Sequence, residues 1–303
     1  MVNTREIRNT KGNYSMKKIT IIFLCTFVIL LIAPNSAQAD VGPKPSIVIN
    51  FYGLEGQSYY ATLLSSEKST GPFSALNDSS HKRIRYQSGD KDYDIFLKFA
   101  KYQESDDFYF LQYFKNCTQT NQFSWTYYPP QTFKILLYFP DTDSFMISAN
   151  QYERYAFDSY YNAKVSSVGL TAVKSYDYTN EMFSLMVRII LTISAELGIA
   201  ILFGFREGKQ LRFIMWVNVI TQILLNTALN IINYRLGALA FIIFYILLEV
   251  MVFMIEAVLY TWFMKKYSMK KVPAWKPGIY ALTANMISFV LGFALAYIIP
   301  GIF

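Results

Sequence analysis

The chain has 303 residues, of which 53% are hydrophobic and only 16% charged, well under the ~25% charged share of soluble domains. Its net charge of +7 divides into +4 over residues 1–39, −3 over 40–181 and +6 over 182–303. The positive charge therefore flanks apolar segments and forms no basic face able to neutralise a run of phosphates, which argues against nucleic-acid binding.

In chain order, the first element is an address. Lys17 and Lys18 precede the apolar stretch Ile19–Ile32, and Ala37-Gln38-Ala39 follows as a small-residue cleavage pattern. This layout predicts a secretory signal peptide over residues 1–39, cleaved after Ala39. Cys25 lies inside it, so Cys117 is the one cysteine expected in the mature chain. That excludes an intramolecular disulfide and a cysteine metal cluster. The single histidine, His81, sits in the polar run DSSHKRIR, so a histidine zinc site or a Ser-His-Asp triad in the membrane is not expected.

Residues 40–181 read as an extracytoplasmic, β-rich, sandwich-like domain. The runs SIVINF (46–51), SYYATLLS (58–65), DFYFLQYF (107–114), TFKILLYF (132–139) and SFMISA (144–149) are β-branched and aromatic, and turn signals separate them. In DFYFLQYF, Phe108, Phe110 and Phe114 are expected on one face, with Tyr109, Leu111 and Tyr113 on the other. TFKILLYF-PDTD-SFMISA reads as a hairpin. The stretch 92–102 suits a helix or a further strand. Asp141 and Asp143 read as turn formers ahead of calcium ligands. Seventeen of the 24 tyrosines fall in this region. Its most loop-like aromatic cluster, WTYYPP, makes Trp125, Tyr127 and Tyr128 the candidate contact residues for an extracellular partner.

Four apolar segments follow, at about 182–205, 211–233, 237–263 and 279–299, each near the ~20 residues that a bilayer requires. They predict an all-α four-helix transmembrane domain over 182–303. With residue 181 outside, FREGKQLR and KKYSMKKVPAWKP fall inside and carry eight lysines and arginines, while the outer loop NYRLG carries Arg235 alone. This agrees with the positive-inside rule and gives a plasma-membrane protein with its C-terminus outside. The second basic loop, with Trp275, also suits contact with anionic membrane lipid.

The spans are not uniformly apolar. Glu249 and Glu256 lie seven residues apart, two turns on one helical stripe, with Tyr245 and Tyr260 in the same sector. About fifteen Leu, Ile, Val and Phe in this span favour insertion by about 5–9 kcal/mol, and two acids cost about 5–7. The near-zero balance predicts that the acids face neighbouring helices and that at least one is protonated or paired with a cation. Partners are available. Asn218, Gln222, Asn226 and Asn230 recur every four residues in the second span. Arg188, Thr192 and Glu196 do so in the first, and the fourth holds Thr283, Asn285 and Ser288. Such groups serve as interhelical glue, as proton or cation sites, or as contacts for a basic membrane partner. A carboxylate pair without a nucleophile or phosphate loop is a weak catalytic signal, so the reading is non-enzymatic and calls for no cofactor.

The strings FSWTYYPP, FKILLYFP and YERYAFDSY, together with LEVMVFMIEAVLY, resemble those of a group of Gram-positive-type bacterial membrane proteins with a signal peptide, an aromatic β ectodomain and four C-terminal helices. The resemblance implies that layout over nearly the whole mature chain. It implies no activity, and no functional residue is carried over from it. The leading expectation is thus a multi-pass protein whose outer domain binds a ligand or partner. The alternatives are a small proton- or cation-coupled transporter or channel component using Glu196, Glu249 and Glu256, and last an intramembrane enzyme.

Overall fold

A computed structural model describes residues 42–76, 84–176, 178–269 and 271–298. The expected signal peptide and its cleavage point, His81, and the C-terminal tail lie outside the described residues.

The β-rich region comes first. In β1 (Ser46–Tyr52), Ile47, Ile49 and Phe51 alternate inward. β1 pairs in parallel with β11 (Asp158–Ser166) and antiparallel with β7 (Gln122–Trp125), and β12 (Gly169–Lys174) closes this four-stranded sheet. A second sheet is built on β2 (Tyr60–Ser65) and β8 (Thr132–Phe139). Its further strands are β5 (Tyr109–Phe110), β6 (Lys115–Asn116), β9 (Ser144–Ile147) and β10 (Tyr152–Glu153). β3 (Ser69–Thr70) and β4 (Phe73–Ser74) form a small ribbon. Ile49, Phe123, Trp125 and Tyr161 of the first sheet share one buried cluster with Leu63, Phe133, Ile135 and Leu137 of the second.

The other face of the second sheet is covered by α1 (Tyr93–Lys101), whose Phe96 and Phe99 pack on Leu64, Phe110, Leu136 and Tyr138. Burial on both faces explains why β8 reads as a continuous apolar run, TFKILLYF, with no polar alternation. The stretch 92–102 is therefore a helix. DFYFLQYF departs from the expected strand. Only Tyr109–Phe110 pairs, because Gln112 takes φ 59° and turns the chain. The buried Gln112 amide donates to the Ser74 carbonyl at 2.8 Å and accepts from the Arg85 N–H at 3.0 Å. The two faces still separate as expected. Phe108, Phe110 and Phe114 join the α1 cluster, while Tyr109, Leu111 and Tyr113 join the core between the sheets.

Three helices are long and apolar enough to cross a membrane: α2 (Tyr178–Leu202), α3 (Gly208–Phe263) and α4 (Lys276–Ile298). α3 has 56 residues, but Gly237 inside it has φ 81° and ψ 178°. The chain reverses there. Asn218 Nδ2 reaches the Tyr260 hydroxyl at 3.0 Å, and Thr221 Oγ1 reaches Glu256 at 2.8 Å. Those pairs are 42 and 35 residues apart in sequence, so the two halves of α3 lie antiparallel. NYRLG is thus no open loop: helix runs up to the glycine.

The ends of the helices are distinct. At the Gly237 end, the Phe157 N–H donates to the Tyr234 carbonyl at 2.8 Å, and the Tyr155 and Tyr176 rings pack on Tyr234. At the opposite end, Glu207 accepts from the Met269 N–H at 2.9 Å and joins the two basic loops. The β region and the basic loops therefore occupy opposite ends of the helical part.

Candidate functional site

The helices bring most of the expected polar residues into one buried interior. Asn218, Gln222 and Asn226, four apart on the first half of α3, are each at most 2% exposed, and Thr221 joins their face. Glu249 and Glu256 line the second half, Glu196 and Arg188 face in from α2, and Asn285 and Ser288 face in from α4.

Glu256 is the most completely engaged acid. Its Oε1 accepts from Thr221 at 2.8 Å and its Oε2 from Asn285 Nδ2 at 2.8 Å. Glu196 is fully buried and accepts from Ser288 at 2.8 Å through Oε1. The Tyr280 hydroxyl donates to the backbone carbonyl of Glu196 at 3.3 Å. Tyr260 accepts from Asn218 and packs on the Tyr280 ring. On the side toward the β region, Arg188 donates to Asn226 at 3.1 Å, and Asn226 in turn donates to Gln222 Oε1 at 3.1 Å. Four buried oxygens receive no hydrogen bond among the described residues: Glu196 Oε2, Asn218 Oδ1, Glu249 Oε2 and Asn285 Oδ1. Such orphans are expensive in a low-dielectric interior, and the donor Gln222 Nε2 is likewise without a hydrogen bond among the described residues, so both acceptors and a donor are left open there.

Asn230 stands apart from this cluster. It is half-buried and lines a surface pocket with Tyr176, Glu181, Tyr234 and Arg235, at the end nearer the β region. Thr283 likewise stays out, and bonds to the Ile279 carbonyl of its own helix. Asn285 and Ser288, expected above as partners for the acids, complete the interior together with Thr221 and Tyr280, which the sequence did not single out. Asn285 and Ser288, three apart in an apolar span, were its visible signal. Thr221 sits beside Gln222 and is easily read as part of the apolar face. No group of three or more His, Cys, Asp or Glu side chains able to hold a metal ion exists among the described residues.

In the β region, Trp125 is 1% exposed and wedged against Phe73 and Tyr113. It is a core residue and offers no contact surface, because β7 points it between the two sheets. Tyr127 is exposed and stacks edge-on against Tyr128. Tyr128 is half-buried over Gly71, where an added Cβ would lie 2.3 Å from its ring. Since Trp125 pairs with Ile47 at the start of β1, this cluster lies at the end of the region nearer the long helices.

The opposite end carries an open cleft of about 570 Å³, lined by Gly53, Gln57, Phe145, Met146 and Ser166 among others. β1 and β11 run in parallel away from the Phe157–Tyr234 contact, so at ~3.3 Å per residue the cleft stands roughly 20–25 Å from the helix ends. At its rim Asp143 accepts from Lys98 at 2.6 Å and from the Tyr138 hydroxyl at 2.7 Å. The Lys98 ammonium holds the Asp143 carboxyl below its usual range. Asp143 thus closes the β8–β9 turn, as a turn former does. Farther down β8, the buried Lys134 donates to Asp106 at 2.6 Å and Glu104 at 3.1 Å. The Asp106 bond raises the lysine's pKa, and the lysine lowers that of Asp106. Burial pushes the Cys117 thiol up to about 12, which makes it an inert core group.

No protein-family model, no curated protein and no solved structure matches the chain.

Proposed function

We propose that the chain is a non-enzymatic multi-pass membrane protein in which an outer, sandwich-like β domain binds a ligand or partner and is mechanically tied to a polar membrane interior. The three long helices make four crossings, because α3 reverses at Gly237. The outer domain lies on the side of that reversal, and the basic loops joined by Glu207 and Met269 lie in the cytoplasm.

The observation that carries this reading is the docking contact. Phe157 and Tyr155 of the β domain seat on Tyr234 and Gly237, at the tip of the hairpin whose second limb holds Glu249 and Glu256. A ligand that shifts the domain would therefore bear on the acid-carrying hairpin first. The distal cleft and the exposed Tyr127 are the surfaces offered to that ligand. The test is a photo-crosslinking residue placed in turn at Ser167, in the cleft, and at Tyr127 in intact cells. A discrete crosslinked species at either position is expected. Surface-exposed protein that yields none at both would refute the binding role.

The four undonated oxygens support a second reading, in which the interior holds protons or a monovalent cation and the protein couples their movement to a second event. Proton- or sodium-driven uptake in proteoliposomes, lost in Glu196→Gln and Glu256→Gln, would favour it over the first. Tight vesicles that show no flux would remove it.

A further inference from the structure

One pocket gathers charge of both signs at the end of the bundle nearer the β region. It has a volume of about 440 Å³ and opens between the first turns of α2 and the end of the first limb of α3. Glu181 stands on the α2 side and Arg235 on the α3 side, and neither forms an ion pair among the described residues. Tyr234 lies within electrostatic reach of both. Asn230 also lines the pocket, half-buried, and its amide makes no hydrogen bond among the described residues. Tyr176, Tyr178 and Tyr234 supply ring surface. Tyr176 meets Tyr178 at 4.6 Å and 54°, and Tyr234 at 5.5 Å and 84°, so the rings stand at steep angles and do not close up as a stack. The rest of the lining is apolar and runs outward. Met182 and Ile231 are 65% and 53% exposed, and Met186, one turn on, and Leu224, two turns back, extend the same exposed stripes along the two long helices.

We propose that this pocket binds the headgroup of a zwitterionic, ammonium-bearing phospholipid in the leaflet that faces the β domain. The phosphate lies against Arg235 and the Asn230 amide, and the ammonium against Glu181 among the tyrosine rings. The acyl chains follow the stripes that begin at Met182 and Ile231. Charge selects this class: a plain anion would meet Glu181 and a plain cation would meet Arg235, whereas a zwitterion satisfies both. Place selects a lipid over a soluble zwitterion. The pocket sits at the ends of helices long enough to cross a bilayer, and its apolar lining continues down them. Tyrosines alone would make an ordinary interfacial belt; the two open charges and the open amide make the pocket selective. Its volume falls within the range of small-ligand sites. The assignment also gives Asn230 a partner, although it stands outside the buried cluster. The site rests on the membrane-crossing reading, and it goes beyond that reading by naming the lipid class and the residues that select it.

The test uses the purified full-length chain in maltoside detergent, titrated with dihexanoyl phosphatidylethanolamine and read by native mass spectrometry. One saturable lipid per chain is expected. Dihexanoyl phosphatidylglycerol keeps the phosphate and lacks the ammonium, and should bind at least about tenfold more weakly. Soluble phosphoethanolamine keeps both charges and lacks the chains, and should fall behind by a similar factor. Glu181→Gln should erase most of the preference between the two lipids, and Arg235→Gln should weaken both. Met182→Trp together with Ile231→Trp fills the pocket from exposed positions and should abolish binding, so that pair decides the matter if a charge variant does not fold. Four results would overturn the proposal: no saturable binding, equal binding of phosphatidylglycerol, equal binding of soluble phosphoethanolamine, or binding that survives both tryptophans. Extraction of the chain from membranes by alkaline carbonate would instead sink the membrane-crossing reading, and the titration in detergent does not depend on it.

Discussion

Replacing Gly237 by alanine should undock the β domain, and the size of the effect follows from two separate terms. The backbone there has φ 81° and ψ 178°, a region that is nearly exclusive to glycine. A side chain held in it costs about 1–3 kcal/mol. The added Cβ would also lie 2.5 Å from both Cδ1 and Cε1 of Phe157, so the ring or the helix must shift. Overpacking of this kind costs about 1–3 kcal/mol more. A total of roughly 2–6 kcal/mol shifts the docked–undocked equilibrium at least about thirtyfold. The reporter is the Phe157 amide, which donates to the Tyr234 carbonyl across the contact. Its hydrogen-exchange protection in the full chain in nanodiscs should fall by that factor, while amides in the core strands β2 and β8 keep theirs. Phe157→Ala added to Gly237→Ala should recover the steric part and leave the backbone part, a double-mutant cycle that separates the terms. Unchanged Phe157 protection in Gly237→Ala would refute both the docking contact and the reversal at Gly237.

Four further outcomes are expected. Lys209→Cys and Lys271→Cys sit at exposed positions of the two basic loops and should resist a membrane-impermeant maleimide in intact cells, whereas Ser167→Cys should label readily; labelling at either loop position would invert the topology. The native Cys117 should stay unlabelled in the folded chain, since it is fully buried and its thiol is pushed up to about 12, and it should react on denaturation, making it a reporter for the β domain. Residues 42–176 should fold alone as a soluble β-rich domain by circular dichroism, and a disordered spectrum would show that the domain depends on its docking surface. The Lys134–Asp106 pair should stabilise the β domain between about pH 4 and 10. The depressed carboxylate loses its contribution as pH falls through its folded value, and the raised lysine loses its own as pH rises through its folded value; an acid-side stability profile identical in Asp106→Asn would count against it.

The long apolar helices were legible in the sequence because hydrophobic length is a long-range average that single residues cannot disguise. The four-residue spacing of Asn218, Gln222 and Asn226 was readable for the same reason: a helix repeats its faces. Asn230 obeys that spacing and still lies outside the cluster: it lines the surface pocket with Glu181, Met182 and Tyr234. In the β region, β8 was visible as an apolar run, yet that run could not say that α1 covers its second face. β11 was harder. Tyr161, Ala163 and Val165 alternate inward along DSYYNAKVS, but a small alanine and flanking polar residues weaken the pattern. Its parallel pairing with β1, across more than a hundred residues, leaves no local trace. Trp125 shows the limit of composition: an aromatic cluster beside two prolines reads as a loop, and only the pairing of Ile47 with Trp125 turns its side chain into the core.

The polar interior carries more than adhesion requires. Interhelical hydrogen bonds from asparagine, threonine and serine yield roughly 0.6–2 kcal/mol each, and neutral side chains would supply them without the burden of burying acids. Glu256 could be read as adhesion alone, because Thr221 and Asn285 occupy its two oxygens. Glu196 and Glu249 could not, since each keeps an oxygen that no protein group satisfies among the described residues. An open acceptor on a buried acid lowers stability until something donates to it. The two acids also differ in burial: Glu196 is fully buried and accepts from Ser288, whereas Glu249 is 8% exposed, though its unpartnered oxygen is buried. Glu249 belongs to the limb that begins at Gly237, directly under the docked β domain. The docking contact and Glu249 thus share one limb, the second half of α3.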